Sequence, residues 1–213
     1  MPQLSISFLN EDLILLPEKA VYWPKEKMLM LSDLHLGKAI HFRSNGIVIP
    51  EESGSKDFIT LESIIKRIKP QKVCFLGDLF HSSYNKEWEK FESLINRFLE
   101  VEFILVLGNH DILDNAVYQK SKLTITRKLL IEPFLLTHEP DDGKSNHYNI
   151  AGHIHPGIQL RGKGKLRAKI PCYYFGKKNA ILPAFGVLTG LHILKPKKSD
   201  TFYGIVGPDV IPL

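Results

Sequence analysis

The stretch from residue 28 to residue 35 reads MLMLSDLH, an apolar, strand-like run that ends in the polar residues Asp33 and His35. Two later stretches have the same form: VCFLGD at 73–78 and ILVLGNHD at 104–111. Short apolar runs that end in polar turns are typical of buried strands in a parallel sheet. The three stretches therefore predict three strands whose carboxyl ends carry polar side chains.

The segments between these strands have helical patterns. Apolar residues recur at helical spacing over 54–69, and Asn85 can cap a second helix. Strand and helix thus alternate over about 28–110, which predicts parallel pairing through right-handed crossovers and an α/β fold class. After residue 120 the runs are short and strand-like, with Gly, Pro and Asn between them. We expect a single domain over 1–213 with a β-rich second half.

The composition is that of a globular protein. Of the 213 residues, 44% are hydrophobic and 24% are charged, which excludes a disordered or collagen-like chain. The two cysteines, Cys74 and Cys172, are too few for a disulfide framework, and we expect both to be core residues. No run approaches the roughly 18 apolar residues of a membrane span, and the N-terminus lacks the basic start of a signal peptide. We therefore expect a cytoplasmic location and no membrane partner.

Charge is unevenly distributed along the chain. Residues 143–199 contain eleven Lys and Arg and no Asp or Glu, which leaves 17 basic and 23 acidic residues elsewhere. An acid-free basic segment of this kind indicates an anionic partner, with nucleic acid as the leading candidate. A solvated basic face is the alternative that charge alone leaves open.

Side chains suited to catalysis or metal binding follow five of the apolar runs. They are Asp33, His35, Asp78, Asn109, His110, Asp111, His138, His153 and His155. Ligands of open α/β sheets bind outside the carboxyl ends of the strands, so these side chains can meet there. Residues two apart on an extended segment share a face, so we expect Asp33 to point with His35, and His153 with His155. Gly-Asn-His-Asp is expected by chance only about 0.001 times in such a chain, so the pattern is a strong signal.

The side-chain types predict the chemistry. Carboxylates, imidazoles and an amide without thiolate suit borderline or hard divalent ions, and we expect Mn²⁺ first, with Fe²⁺ or Zn²⁺ as alternatives. Two ions about 3.5–4 Å apart need a bridging carboxylate. Such a pair activates water near neutral pH and neutralises charge on a phosphate. The sequence therefore indicates phosphoester hydrolysis.

The ordered motifs DLH, GD, GNHD, H and GHIH resemble those of the calcineurin-like metallophosphoesterases over about residues 33–155. The resemblance implies a four-layered α/β/β/α sandwich and a two-metal site bridged by Asp78. It assigns to one metal the ligands Asp33, His35, Asp78 and His155. It assigns to the other metal the ligands Asp78, Asn109, His138 and His153. It places His110 beside the leaving group, as general acid or transition-state stabiliser, with Asp111 orienting it.

A narrower resemblance covers nearly the whole chain. Stretches such as SDLHLGKAIHFRSNGIVIP at 32–50 and AGHIHPGIQLRGKGKLRAKIPCYYF at 151–175 look like the DNA-ligase-associated metallophosphoesterases of the PdeM type. That resemblance implies a phosphodiesterase or endonuclease acting on nucleic acid. It also implies a functional link to a DNA ligase and a helicase in DNA repair.

Six residues outside the metal ligands are candidates for substrate binding. They are Arg43, His81, Arg161, Lys163, Lys165 and Arg167. Arg43 could hold a phosphate oxygen, and His81 could reach the rim of the site. The residues of 161–167 could track a phosphate backbone, although Gly162 and Gly164 favour a hairpin turn there. A solvated surface is the alternative for each.

Three other functions remain open at this point. An enzyme of the same chemistry could act on a small nucleotide or cyclic-nucleotide phosphoester. A non-catalytic scaffold of this fold would be favoured by a missing metal ligand, and none is missing. A plain DNA-binding module leaves the acids and histidines at the strand ends unexplained.

Overall fold

The computed structural model describes residues 3–44, 46, 52–141, 143, 145–162 and 167–213, with backbone alone for 41, 43, 44 and 52–54. Within them, the first half of the chain forms a seven-stranded sheet in sequential order. Its strands are β1 (Leu4–Phe8), β2 (Glu11–Leu16), β3 (Ala20–Trp23), β4 (Met28–Leu31), β5 (Lys72–Leu76), β6 (Glu102–Val106) and β7 (Leu123–Thr126). β1 to β4 pair antiparallel, whereas β4 to β7 pair parallel. The parallel pairing predicted for the strands that alternate with helices over about 28–110 is confirmed by β4, β5 and β6.

Four helices connect or follow these strands in the described part of the chain. They are α1 (Lys38–Ser44), α2 (Glu52–Ile68), α3 (Lys86–Asn96) and α4 (Asn115–Lys120). The helix predicted over 54–69 is α2, and the predicted cap of α3 is confirmed, because the Asn85 side chain accepts a hydrogen bond from the amide of Glu87 at 2.8 Å. Helices α1 and α4 were not predicted, since six or seven residues are too few to show a helical period.

The second half of the chain forms a mixed sheet. Its strands are β8 (Leu129–Ile131), β9 (Phe134–Leu136), β10 (Tyr148–Ala151), β11 (Pro156–Arg161), β12 (Arg167–Phe175), β13 (Asn179–Ile181), β14 (His192–Ile193), β15 (Thr201–Val206) and β16 (Asp209–Pro212). The order is β14-β11-β12-β13-β10-β9-β8, with β15 paired to β12 and β16 to β15. β10 lies between β9 and β13 and is parallel to both.

Strand alternation distributes the core over two layers. In β4, Leu29 and Leu31 pack in the cluster that includes α2 and α3, whereas Met28 and Met30 pack in the cluster formed with the second sheet. Tyr173 is fully buried between the sheets, and its hydroxyl donates to the carbonyls of residues 16 and 20 at 2.6 and 2.9 Å. Tyr173 is therefore a core residue.

The α/β fold class, with two mixed sheets and helices, is confirmed. The described helices all precede Ser121, and a small apolar cluster of Ile158, Cys172 and Phe202 lies in the second sheet apart from the inter-sheet core. The helical fourth layer implied by the resemblance is thus not seen in the part of the chain described. Cys74 and Cys172 are buried free thiols, as expected. Among the described residues, no helix is both long and apolar enough to cross a membrane.

Candidate metal centre

The strand-end loops (residues 32–37, 77–81, 107–111, 137–139 and 152–155) carry all the ligand candidates. Five of those candidates have left-handed backbone, with φ between 50° and 69°: Asp33, His35, Asp78, His153 and His155. Left-handed backbone is uncommon for residues other than glycine and clusters at functional sites. The chain therefore turns at each of these residues. We expected Asp33 with His35, and His153 with His155, to share one face of an extended segment, but the backbone is not extended at these residues. Asp33 and His35 still meet in one group, whereas His153 and His155 belong to different groups.

Backbone hydrogen bonds hold the first two loops side by side. The amide of Asp33 donates to the carbonyl of Gly77 at 3.1 Å, and the amide of His35 donates to the carbonyl of Asp78 at 2.9 Å. These bonds continue the parallel pairing of β4 and β5 beyond the ends of the strands. They bring the Asp33 and Asp78 side chains to one place.

One set of ligand atoms, the Asp33 group, consists of Asp33, His35 and His155. His155 Nε2 lies 3.2 Å from Asp33 Oδ1 and 3.4 Å from His35 Nε2. Burial, together with the charge of Lys38, lowers the pKa of His35 to about 3. A neutral imidazole is the form that binds a metal, so this group is suited to an ion at neutral pH.

The second set, the Asp78 group, consists of Asp78, His138 and His153. His138 Nε2 lies 3.3 Å from Asp78 Oδ1 and 3.0 Å from His153 Nδ1, and Asn109 Oδ1 is 3.1 Å away from the same nitrogen. His138 Nδ1 lies 2.9 Å from the carbonyl of Leu76, to which it can donate its proton. With that tautomer, the Nε2 lone pair faces a carboxylate oxygen and an amide oxygen, a set of acceptors that a cation would satisfy.

Asp78 lies between the two groups. Its Oδ1 is 3.3 Å from His138 Nε2, and its Oδ2 is 3.7 Å from His35 Nε2. Asp78 is only 2% exposed, so its carboxylate faces protein and not solvent. One oxygen directed at each group is the arrangement that a bridging carboxylate requires.

Three glycines leave room for the ligand side chains. A Cβ at Gly77 would lie 2.3 Å from His138 Nδ1, and one at Gly108 would lie 2.3 Å from Asp78 Oδ1. A Cβ at Gly152 would lie 2.7 Å from the Oδ2 of Asp33. These are below any normal contact distance. Together with the donor set, they show that the residues present fit two divalent ions.

His110 lies beside the Asp78 group without being one of its members. Its amide donates to Asp78 Oδ1 at 2.9 Å, and its ring centroid is 3.9 Å from that of His81 at an interplanar angle of 33°. His81 Nδ1 in turn lies 3.1 Å from the Nδ1 of His35. The structure thus places both His81 and His110 at the rim of the site.

Asp111 has a different place from the one the resemblance implied. Its Oδ2 accepts hydrogen bonds from the amides of Asp78 and Gly108, both at 2.8 Å, and its Oδ1 accepts one from the amide of Phe80 at 3.0 Å. Burial raises the pKa of Asp111 to about 6, against these three hydrogen bonds. Its contacts are with backbone, so Asp111 ties two strand-end loops together and does not orient the His110 ring.

The other substrate-binding candidates lie partly outside the described residues. The side chain of Arg43 is outside them, as are Lys163 and Lys165. Arg161 and Arg167 are exposed and lie opposite each other in the antiparallel pairing of β11 with β12, which is the strand arrangement of the predicted hairpin. Arg161 is five residues beyond Pro156, or about 17 Å along the strand, so this hairpin end is remote from the ligand groups.

Lys38 is a candidate that the sequence argument missed. It begins α1 directly after the turn at Gly37, and burial lowers the pKa of its ammonium group, opposed by the charges of Asp78 and Asp33. Its charge therefore acts on both carboxylates of the site. A basic residue three positions after His35 was the available signal.

Comparisons with known proteins agree with this geometry. The family model for calcineurin-like phosphoesterases, enzymes that bind two divalent metal ions, matches residues 27–196. A crystal structure of the Pseudomonas putida nuclease MPE superposes with a TM-score of 0.85 at 28% identity, covering 99% of this chain and 100% of that one.

Two further solved structures are less similar. A phosphoesterase from E. coli, Yfce, has a TM-score of 0.42 at 16% identity and covers 84% of this chain and 88% of that one. A protein of unknown function from Aquifex aeolicus has a TM-score of 0.43 at 20% identity, and the match covers 65% of this chain and 82% of that one. Among curated proteins, none matches. The match over residues 27–196, on a site of two His/Asp groups, shows that the chain belongs to the calcineurin-like phosphoesterase family.

Proposed function

We propose that this protein is a dinuclear metal-dependent phosphodiesterase that cuts nucleic acid. The observation that carries the proposal is the pair of His/Asp groups, four of whose six members are buried, with one oxygen of Asp78 directed at each group. Divalent ions in these groups would supply Lewis acidity, which neutralises charge on a phosphate and lowers the pKa of water. Mn²⁺ is our first expectation, with Fe²⁺ and Zn²⁺ as alternatives.

The residues of the site have different roles in this proposal. The residues that would hold the two ions are Asp33, His35, Asp78, Asn109, His138, His153 and His155. His110, at the rim, can donate a proton to the departing oxygen or stabilise its developing charge. The charge of Lys38 acts on both Asp33 and Asp78 and would attract a phosphate bound there. Asp111 holds the loops of Asp78 and Gly108 in place.

Two observations support a polymer as the substrate. The similar Pseudomonas putida protein is a nuclease and aligns over its full length. Arg161 and Arg167 lie about 17 Å beyond the strand start near His155. A substrate must span that distance to contact both the ligand groups and this basic hairpin, which requires several linked nucleotides. A role in DNA repair, beside a DNA ligase and a helicase in the cytoplasm, is the biological setting we propose.

A small nucleotide phosphodiester is the second candidate substrate. The cleft beside His81 and His110 has a volume of about 410 Å³, which is small for anything beyond one nucleotide unit. The described cations of the hairpin end would then have no part in binding, because a small ester cannot reach them.

The test is a parallel assay of Mn²⁺-loaded protein. Single-stranded DNA, RNA, 2′,3′-cyclic nucleotides and bis-p-nitrophenyl phosphate are compared by kcat/KM. We expect the highest values for a polymer, and Asp78→Asn should be inactive on all four. Asp12→Asn, at an exposed aspartate of β2, is the matched control and should retain activity. Turnover of cyclic nucleotides alone would move the proposal to the small substrate.

A further inference from the structure

A cleft of about 410 Å³ opens beside the two ligand groups, and we call it the imidazole cleft. It is lined by Ile40, His81, Ser82, His110 and Ile112, together with two polar residues at the start of α3. Among the described residues that line it, none is Lys, Arg, Asp or Glu. The imidazole cleft is therefore unsuited to a second phosphate.

The cleft adjoins the ligand groups through two of its lining residues. His81 Nδ1 lies 3.1 Å from His35 Nδ1, and the His110 amide donates to Asp78 Oδ1 at 2.9 Å. His81 thus contacts a ligand residue through its ring and His110 through its backbone amide, and both histidines also line the cleft. A phosphate placed between the ligand groups would carry one of its two ester substituents into this space.

The walls suit a flat aromatic ring. The ring centroids of His81 and His110 lie 3.9 Å apart with the rings tilted by 33°, so the two imidazoles are in contact at the cleft wall. Ile112 is two residues after His110 and is 71% exposed, and Ile40, in α1, is half-buried. Exposed apolar surface beside conjugated rings is what nucleobases stack against in proteins that bind single strands.

We infer that the imidazole cleft binds the nucleobase of one nucleotide adjoining the scissile phosphate. This inference rests on the proposed function and names where that substrate is recognised. The contacts are stacking and apolar contacts, so binding here is expected to be tolerant of sequence and insensitive to salt. In this respect the cleft differs from the basic hairpin, which would contact phosphates.

The test uses an end-labelled single-stranded oligonucleotide with one abasic residue at a known position, cut by Mn²⁺-loaded protein and resolved bond by bond. The variants are Ile112→Ser and Ile112→Phe. The control is Ile59→Ser, since Ile59 is 67% exposed on α2 and does not line the cleft. Metal content and Tm are measured for every variant.

We expect wild type to cut one bond beside the abasic residue about tenfold more slowly than the same bond in intact DNA, the loss typical of one missing stacked base. Ile112→Ser should cut intact DNA about tenfold more slowly and be indifferent to the abasic residue. Ile112→Phe, which keeps an apolar wall, should remain sensitive to the abasic residue, and Ile59→Ser should behave as wild type. If the abasic residue slowed Ile112→Ser as much as it slows the wild type, the two losses in rate would be independent and the inference would be overturned. Wild-type rates for Ile112→Ser on intact DNA would overturn it as well. Wild-type protein that hydrolyses bis-p-nitrophenyl phosphate but no oligonucleotide would instead refute the proposed function.

Discussion

The strand-end loops and the β11–β12 hairpin hold their side chains in opposite ways. In the loops, Asp33 and Asp78 are buried, have left-handed backbone and are tied by hydrogen bonds to neighbouring loops. At the hairpin end, Arg161 and Arg167 project from regular strands into solvent, and no described ion pair constrains them. The loops are therefore built for a fixed geometry around a phosphate, whereas the hairpin offers only charge. Mutations in the loops should affect every substrate, and mutations in the hairpin only long ones.

The largest effect is expected from Asp78→Asn. The amide keeps the shape of the side chain but removes the charge shared by both ligand groups. Activity on bis-p-nitrophenyl phosphate should be abolished, and elemental analysis should show loss of most of the bound metal. Retention of two ions per chain would contradict the bridging assignment.

His110→Ala is expected to have the next largest effect. Loss of a general acid or base typically lowers turnover about 10²–10⁴-fold. Both metals should stay bound, because His110 contacts Asp78 through its backbone amide, which the variant keeps. The loss should be smaller for a p-nitrophenolate leaving group than for an oligonucleotide. Metal loss equal to that of Asp78→Asn would show that His110 is a ligand.

Lys38→Met should raise KM by about tenfold or more for short and long substrates alike, since one charge-assisted hydrogen bond to a phosphate is worth roughly 1.5–3 kcal/mol. The reason is that Lys38 acts on Asp33 and Asp78, in the part of the site that every phosphodiester occupies. Lys38→Arg should recover part of the loss, and Lys56→Met, at an exposed lysine of α2, is the control. A KM change confined to oligonucleotides would place Lys38 with the hairpin instead.

The smallest effect is expected from Arg161→Ala combined with Arg167→Ala. KM should rise several-fold for an oligonucleotide and stay unchanged for bis-p-nitrophenyl phosphate, because only a polymer reaches the hairpin end. The slope of log affinity against log salt concentration should become shallower by about 1.4. This is about 0.7 for each of the two phosphates of a single strand that the variant no longer neutralises. Lys56→Ala with Lys90→Ala removes the same charge elsewhere and should leave the slope unchanged. Equal losses on both substrates would mean that the hairpin supports the site itself.

Sequence reasoning was most successful where the pattern is long or the side chains are chemically distinctive. The alternation of β4, α2, β5, α3 and β6 follows from periodicities that are many residues long. The ligand candidates follow from rare combinations of Asp, His and Asn, and the structure brings seven of them together.

The remaining features depend on tertiary contacts that no local pattern records. His153 and His155 face different groups because the backbone is left-handed at both residues, which their side-chain types do not indicate. Asp111 contacts the amides of Asp78 and Phe80, more than 30 positions earlier in the chain. The proximity of Lys38 to Asp78 likewise depends on the pairing of β4 with β5.

The left-handed backbone of the five ligand candidates also bears on the lifetime of the protein. Each such residue costs of order 1–3 kcal/mol, so their sum is comparable in size with the net stability of a domain, roughly 5–15 kcal/mol. An ion that binds only the folded chain stabilises it by about 2.7 kcal/mol when the free ion concentration is a hundred times the Kd. A cell short of the metal would then hold a larger fraction of this chain unfolded and open to proteases. Metal supply would thus set the abundance of the protein as well as its activity.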